Sequence, residues 1–193
     1  MTTDTRTRLL AEAEHLIRRV GYSAFSYADL AASIGIRKAS IHHHFPCKQD
    51  LGDAVADAAM ARFRERLAAI ERDEAGAVAR LRAYGGIFLD GFEDGLRPIC
   101  CALSAELAAL PPSMHEKTRA YFDLHLAWLG RVVGTGIERG EIRWRGEAAA
   151  LAGLILVTLE GGSLLGRVRQ SEDEVAAGFR QVLELVAPKN APG

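Results

Sequence analysis

The stretch SYADLAASIGIRKASIHHHFP, residues 26–46, constrains the fold more than any other part of the chain. Gly35 and Pro46 close two helical runs of only about two turns each, because glycine readily ends a helix and proline cannot continue one. Helices that short are unstable alone and must pack on a neighbour. One lies just upstream: Leu9, Leu10, Ala13, Leu16, Ile17 and Val20 recur at three- and four-residue spacing with charges between them, and Gly21 ends that first helix. Ser26 can cap the second helix, with Asp29 three residues on as a shortened capping box, and Leu30, Ala31 and Ile34 form its apolar side. In the third, Lys38 to His44, Ile41 and Phe45 stack on one side, where they can anchor to Leu30 and Ile34. Ala39, Ser40 and His43 then point the opposite way, His42 and His44 flank them, and Arg37 and Lys38 stand at the leading end. Two short helices joined by a tight glycine turn and packed on a preceding helix form the helix-turn-helix pattern, whose second helix enters the DNA major groove.

Composition restricts where such a contact can be. The formal net charge of -1 excludes an overall basic coat, so any nucleic-acid contact is local. Three cysteines, Cys47, Cys100 and Cys101, are an odd and clustered set rather than a disulfide framework, which points to a reducing cytoplasm. The N-terminus MTTDTRTRLL lacks the apolar run of a signal peptide. The segment Ala148–Gly166 is almost uncharged and long enough to cross a bilayer, but it contains Glu160 and four glycines and is bracketed by Glu147 and Arg167. A helix apolar all round is also what a buried subunit interface requires, and that is the reading adopted, with no membrane partner. The three consecutive histidines diverge around a helix, and no nearby Cys or carboxylate completes a tetrahedral set, so neither a metal nor another cofactor is expected. No nucleophile elbow, phosphate-binding glycine loop or HExxH occurs, so no catalytic residue is expected and the chain is not read as an enzyme.

Strand signals are nearly absent, and the chain reads as all-α. After a fourth helix running from Lys48 toward Ile70, helices are predicted at Gly76–Asp94, Ile99–Leu110, Pro112–Arg139, Glu147–Arg169 and Ser171–Val186. Ser113 with Glu116 and Ser171 with Glu174 suit capping boxes, Pro98 and Pro112 suit first-turn positions, and Gly95 and Gly140 suit C-terminal caps. The domain organisation read from this is a three-helix DNA-binding domain at 1–50, a larger helical domain for ligand binding and dimerisation at 51–187, and a frayed tail at 188–193.

SYADLAASIGIRKASIHHHFPCKQDL resembles the signature of the TetR family of bacterial transcriptional regulators. That signature has a Thr or Ser cap, an apolar-Ala pair, Gly-Val or Gly-Ile, and a run of small, hydroxyl, apolar and aromatic residues ending in His-Phe. Ser-Lys then precedes the fourth helix. The resemblance implies that Lys38, Ala39, Ser40, His42 and His43 face DNA, with Arg37 able to add a phosphate contact. It also implies that Ser26, Tyr27, His44 and Lys48 touch phosphate or fix the docking. The sequence departs from the pattern at His42, where Tyr is usual, at Arg37, where Ser usually caps the third helix, and at Cys47, where Ser usually caps the fourth.

A helix-turn-helix protein reading two half-sites is most economically a two-fold dimer. In the resembled family the last two helices form a four-helix bundle with their copy, which points to Leu154, Val157, Gly161, Leu165, Phe179, Val182 and Leu183 as the homodimer interface. Phe88, Phe92, Leu103, Phe122, His125, Trp128 and Leu129 supply an aromatic and apolar lining for a small-molecule effector of unknown identity. The expected function is therefore a cytoplasmic repressor, released from double-stranded operator DNA by a small apolar effector. One alternative is a thiol-based redox or electrophile sensor using Cys100, Cys101 or Cys47, since some members of the resembled family respond through a cysteine in a comparable place. Another is a helical carrier of hydrophobic ligands without DNA binding.

Overall fold

The computed structural model describes residues 4–188, so the tail expected at 188–193 lies, past Pro188, outside the described residues. Every regular element among the described residues is helical: α1 Thr5–Val20, α2 Tyr27–Ile34, α3 Lys38–His44, α4 Lys48–Asp73, α5 Ala77–Gly86, α6 Ile99–Ala105, α7 Pro112–Glu138, α8 Ala148–Arg169 and α9 Glu172–Val186. A short 3-10 turn, Leu107–Ala109, follows α6. The chain divides into two compact units, one formed by the residues through Phe63 together with Ile99–Tyr121, the other by Arg64–Pro98 together with the residues from Phe122 onward. The unit that holds the helix-turn-helix is thus larger than the segment 1–50 and takes in α6 and the start of α7.

In the first unit, Leu9, Ala13 and Ile17 of α1, Leu30 of α2 and Ile41 of α3 are buried, in the pattern the apolar spacing predicts. The α6–α7 segment is tied to α4 by polar contacts. The Ser113 hydroxyl donates to Asp53 at 2.9 Å and accepts from the Gln49 amide at 3.0 Å, and Lys117 pairs with Asp57. Ser113 is therefore not the predicted cap; it lies inside the first turn of α7, which Pro112 opens, and its hydroxyl bonds to side chains of α4.

In the second unit α8 and α9 pack along one another. A Cβ on Gly162 would stand 2.5 Å from the Val175 carbonyl oxygen, and one on Gly166 2.5 Å from the Val175 side chain, so these two glycines set the closeness of the crossing. Ser171 holds the N-cap position of α9 but makes no side-chain capping bond, and Glu174 pairs instead with Arg169 at 2.8 Å. The helix predicted to reach Asp94 stops at Gly86, and residues 87–95 continue as turns in which Gly91 and Gly95 have φ of 77° and 72°. The Gly85–Gly86 pair weakens the helix there, and Gly85 cannot be larger: its Cβ would lie 2.3 Å from Cε1 of Phe179. The helix predicted over Ile99–Leu110 likewise ends at Ala105 and tightens into the 3-10 turn.

Gly85→Ala should lower stability by about 1–3 kcal/mol through overpacking against Phe179. Gly130→Ala, in the interior of α7 with nothing within 4 Å of the added carbon, should raise it by about 0.5–1 kcal/mol. Denaturant unfolding followed by circular dichroism measures both, and equal signs would contradict the packing described.

Candidate nucleic-acid interface

The helix-turn-helix is built from local bonds first. Ser26 Oγ accepts from the Ala28 and Asp29 amides at 3.2 and 3.4 Å, and Asp29 Oδ2 accepts from the Ser26 amide and hydroxyl, both at 2.7 Å. This capping box starts α2, and its Ser26 bonds hold the Asp29 carboxyl below the usual carboxylate range. Gly35, at φ 71°, ends α2 in the left-handed conformation and turns the chain toward α3. Arg37 sits at the N-cap of α3 with no capping bond from its side chain, the loss expected where Ser is replaced. Ile41 and Phe45 are buried beneath the helix, with the Arg6 guanidinium 5.3 Å from the Phe45 ring centre.

The turn from α3 into α4 is fastened at three successive carbonyls. The Tyr27 hydroxyl lies 3.0 Å from the Phe45 oxygen and 2.6 Å from that of Cys47, and His42 Nδ1 lies 3.1 Å from the Pro46 oxygen. Burial pushes the Tyr27 hydroxyl well above the usual range for tyrosine, so it remains a donor. Cys47 occupies the N-cap place of α4, but its backbone N–H and its thiol both donate to Asp50 Oδ2 at 3.1 Å, so the capping bond is supplied by Asp50 rather than accepted by sulfur.

The structure separates the expected DNA-facing residues into two groups. Arg37, Lys38, Ala39, Ser40, His42 and His43 form one exposed row, with His44 half-buried beside it. Ser26 is exposed, its hydroxyl engaged in the cap. Tyr27 is buried and Lys48 half-buried, and both are engaged within the protein. The Lys48 ammonium donates to the Phe25 carbonyl and sits 4.7 and 4.4 Å from the centres of the Tyr22 and Phe25 rings, where burial lowers its pKa against the pull of Glu106 and Asp29.

Sequence reasoning does not single out Arg6, Arg8 or Glu106. Arg8 donates to the Ile34 carbonyl at the end of α2 at 2.8 Å, and the two arginines in the first turn of a helix without an acid there were the available signal. Glu106, after α6, accepts from the Ser23 amide at 2.8 Å and presses on Gly21, whose added Cβ would overlap its carboxylate. Nothing in the local sequence around Glu106 marks it.

The family model described as "Bacterial regulatory proteins, tetR family" matches residues 9–55, and that described as "Tetracyclin repressor-like, C-terminal domain" matches residues 77–182. The chain belongs to the TetR family. A TetR-family transcriptional regulator from Agrobacterium tumefaciens has a similar structure, with a TM-score of 0.90 at 33% identity, covering 95% of this chain and 97% of that one. One from Legionella pneumophila gives 0.87 at 29% identity, covering 96% and 100%. Among curated proteins, the HTH-type transcriptional repressor NemR of Escherichia coli K12 is 24% identical over 188 residues, 95% of this chain and 94% of NemR. TetR-family proteins are DNA-binding transcriptional regulators, and this chain is one of them.

The other expected sites lie away from α3. Tyr84, Phe88, His125 and Trp128 form a buried aromatic cluster in the second unit, with Tyr84 and Trp128 stacked at 5.3 Å and the Tyr84 oxygen 2.5 Å from His125 Nδ1. Phe122, half-buried, adjoins His125 at 6.2 Å, and Leu129 is fully buried. Leu103 belongs to the first unit, and Phe92 alone of the expected lining residues borders a cavity of about 520 Å³ whose other walls are Glu93, Gly95, Arg167, Gln170 and Glu172. Cys47 is exposed, Cys100 buried and Cys101 half-buried. Leu154, Val157, Gly161 and Leu165 are exposed on α8, whereas Phe179, Val182 and Leu183 are buried. On α9 the Phe179 ring lies against Gly85 of α5, within the same unit.

Burial lowers the His125 pKa from 6.5 to about 3. The unfolded chain then takes up a proton that the folded chain refuses, so stability rises with pH across that window and is lost as pH falls from about 6.5 toward about 3. The decline should be shallower in His125→Gln than in the wild type. Melting temperatures at matched ionic strength test this, and identical slopes would exclude a neutral buried imidazole.

Proposed function

We propose that this regulator is a cytoplasmic homodimeric repressor whose α3 reads the major groove of an operator and which a small, largely apolar effector releases. Residues 1–50 carry the reading, and 51–187 bind effector and partner. The observation that carries the reading is the exposed row Arg37, Lys38, Ala39, Ser40, His42 and His43, held by Ile41 and Phe45 buried behind it. Small residues there admit the backbone to base edges, and cations at the leading end suit phosphate. The name of the NemR relative, a transcriptional repressor, agrees in kind. Release requires an effector that binds one arrangement of the protein better than another, and the aromatic cluster around His125 and Trp128 offers such a molecule apolar walls with few polar groups.

Dimerisation is supported by α8. It is long and apolar enough to cross a membrane by length and composition, yet part of it, including Leu151, Ile155 and Leu159, is buried in the protein. Leu154, Val157, Leu164, Leu165 and Val168 are exposed along it, and Gly153 and Gly161 have no neighbour within 4 Å of an added Cβ. A second α8 can cover these exposed residues. Val157→Glu should yield monomers in sedimentation velocity while leaving the circular-dichroism melt of the protomer cooperative. Phe179→Ala should instead cost about 3–5 kcal/mol of protomer stability.

Fluorescence anisotropy on DNA from immediately upstream of the gene, against a scrambled duplex across a salt series, tests the function itself. Lys38→Ala should weaken binding to both duplexes and reduce the salt slope by about 0.9 for each protomer engaged. His43→Ala should change the preference at one base position and leave scrambled binding nearly unaltered. The reverse pattern would sink the assignment of these two side chains.

A further inference from the structure

The cavity of about 520 Å³ in the second unit is bounded by three pieces of chain. They are the turn residues Phe92, Glu93 and Gly95, the end of α8 with Arg167 and Gln170, and Glu172 at the start of α9. Its size falls in the range of about 300–1,000 Å³ common for small-molecule sites. It is separate from the aromatic cluster, since none of Tyr84, Phe88, His125 and Trp128 lines it. Backbone bonds hold its walls. Gly95, at φ 72°, donates to the Phe92 carbonyl at 2.9 Å, and its own carbonyl accepts from Arg167 Nη2 at 2.6 Å, which ties the turn to α8. Gln170 ends α8 in the left-handed conformation, at φ 51° and ψ 44°, and among the described residues it is the one non-glycine with positive φ. Glycine is the usual occupant of such a position because it has no Cβ to strain. What glycine would lack is the carboxamide that Gln170 carries at the cavity wall.

The charges of the wall do not cancel. In the first turn of α9, Asp173 pairs with Arg180 at 2.6 Å and Glu174 with Arg169 at 2.8 Å. Glu172 of that same turn and Glu93 make no such pair among the described residues, and the Arg167 guanidinium is already engaged at Gly95. We propose that this cavity binds an organic ammonium ion. Its nitrogen meets the Glu93 and Glu172 carboxylates, its apolar body lies on the half-buried Phe92 ring, and the Gln170 carboxamide accepts from a further N–H. The wall selects this class over others. An anion would face two carboxylates and a guanidinium whose Nη2 is spent. A divalent metal ion seeks a close shell of oxygens, fills little of such a volume and has no use for a carboxamide and a ring together. A cationic nitrogen is attracted by both carboxylates and by the face of an aromatic ring. Each of these attractions is small at an exposed site, so it is their convergence on one cavity that makes binding specific. The ligand touches the turn and the α8–α9 corner at once and fastens one to the other; no covalent bond is made or broken.

Nitrogen–proton NMR spectra of the full chain, titrated with butylammonium chloride at constant ionic strength, test the proposal. The amide resonances of Gly95, Gln170 and Glu172 and the side-chain NH2 of Gln170 should move together to saturation with one midpoint. Sodium butyrate and magnesium chloride at the same ionic strength should leave them in place. Glu93→Gln, Glu172→Gln and Phe92→Leu should each weaken binding by about two- to five-fold. Gln170→Gly removes the left-handed strain, so its melting temperature should be no lower than that of the wild type while its affinity falls. Unchanged affinity in that variant would leave Gln170 a helix end and nothing more, and would overturn its place in the site. The absence of a saturable shift in the wild type, an equal response to magnesium, or undiminished affinity in both glutamate variants overturns the proposal. Shifts centred on Tyr84 and Trp128 would put the amine in the aromatic cluster and overturn it equally, leaving the effector reading of that cluster standing. Should a variant fold poorly, nuclear Overhauser contacts in the wild type decide: the ligand methylenes should contact the Phe92 ring, and contacts confined to other residues overturn the site.

Discussion

The hydroxyl of Tyr27, aimed at the carbonyls of Phe45 and Cys47, is the interaction on which the exposed face of α3 depends. A helix of seven residues forms only about three internal hydrogen bonds and does not hold itself together in water. Its direction is set from outside, by Ile41 and Phe45 beneath it and by the turn that follows it. That turn contains Pro46, which has no backbone N–H to give, and side-chain groups approach the carbonyls of Phe45, Pro46 and Cys47. Tyr27 is the buried donor that does so, and His42 the exposed one. Each exposed residue of α3 inherits its position from this arrangement.

The other end of the helix-turn-helix is held by charge. The turn between α1 and α2 is gripped by Glu106 at the Ser23 amide and by Lys48 at the Phe25 carbonyl, and only a glycine at 21, with φ 101°, leaves room for the carboxylate. Glu106 follows α6, and the segment 99–121 shares a compact unit with α1, α2 and α3 and bonds to the backbone of the turn between α1 and α2. A displacement of α6 would be felt at an amide three residues beyond the end of α1, through the Glu106 carboxylate. Such a contact transmits a signal only if an effector prefers one position of α6 over another, since equal binding to both shifts nothing.

Local signals were legible in the sequence wherever one residue type has one physical job. Ser26 with Asp29, Gly35, Pro46 and the spacing of Ile41 and Phe45 located α2 and α3 because caps, left-handed turns and ring constraints act within a few residues. What periodicity leaves open is the identity of the neighbour. The apolar stripe of α9 does not name what it packs on, and the ring of Phe179 on Gly85 is a contact between positions far apart in the chain. Lys48 is similar: its type suits phosphate, but Tyr22 and Phe25, more than twenty residues upstream, form the cage that holds it. Ser113 met the pattern of a cap and bonded to Asp53 instead, again a long-range competitor for a short-range role.

The apolar character of α8 follows from a demand on two faces. A helix with one partner needs a single stripe, as α9 has, and can be polar elsewhere. On α8 the glycines divide between the faces: Gly162 and Gly166 admit Val175 of α9, while Gly153 and Gly161 lie open beside exposed Leu154, Val157 and Leu165. A helix that satisfied only its own unit would have no use for apolar residues on the open side, where they cost solubility. The mean hydropathy that makes α8 resemble a membrane span is thus the sum of two apolar faces, one closed within the unit and one left exposed.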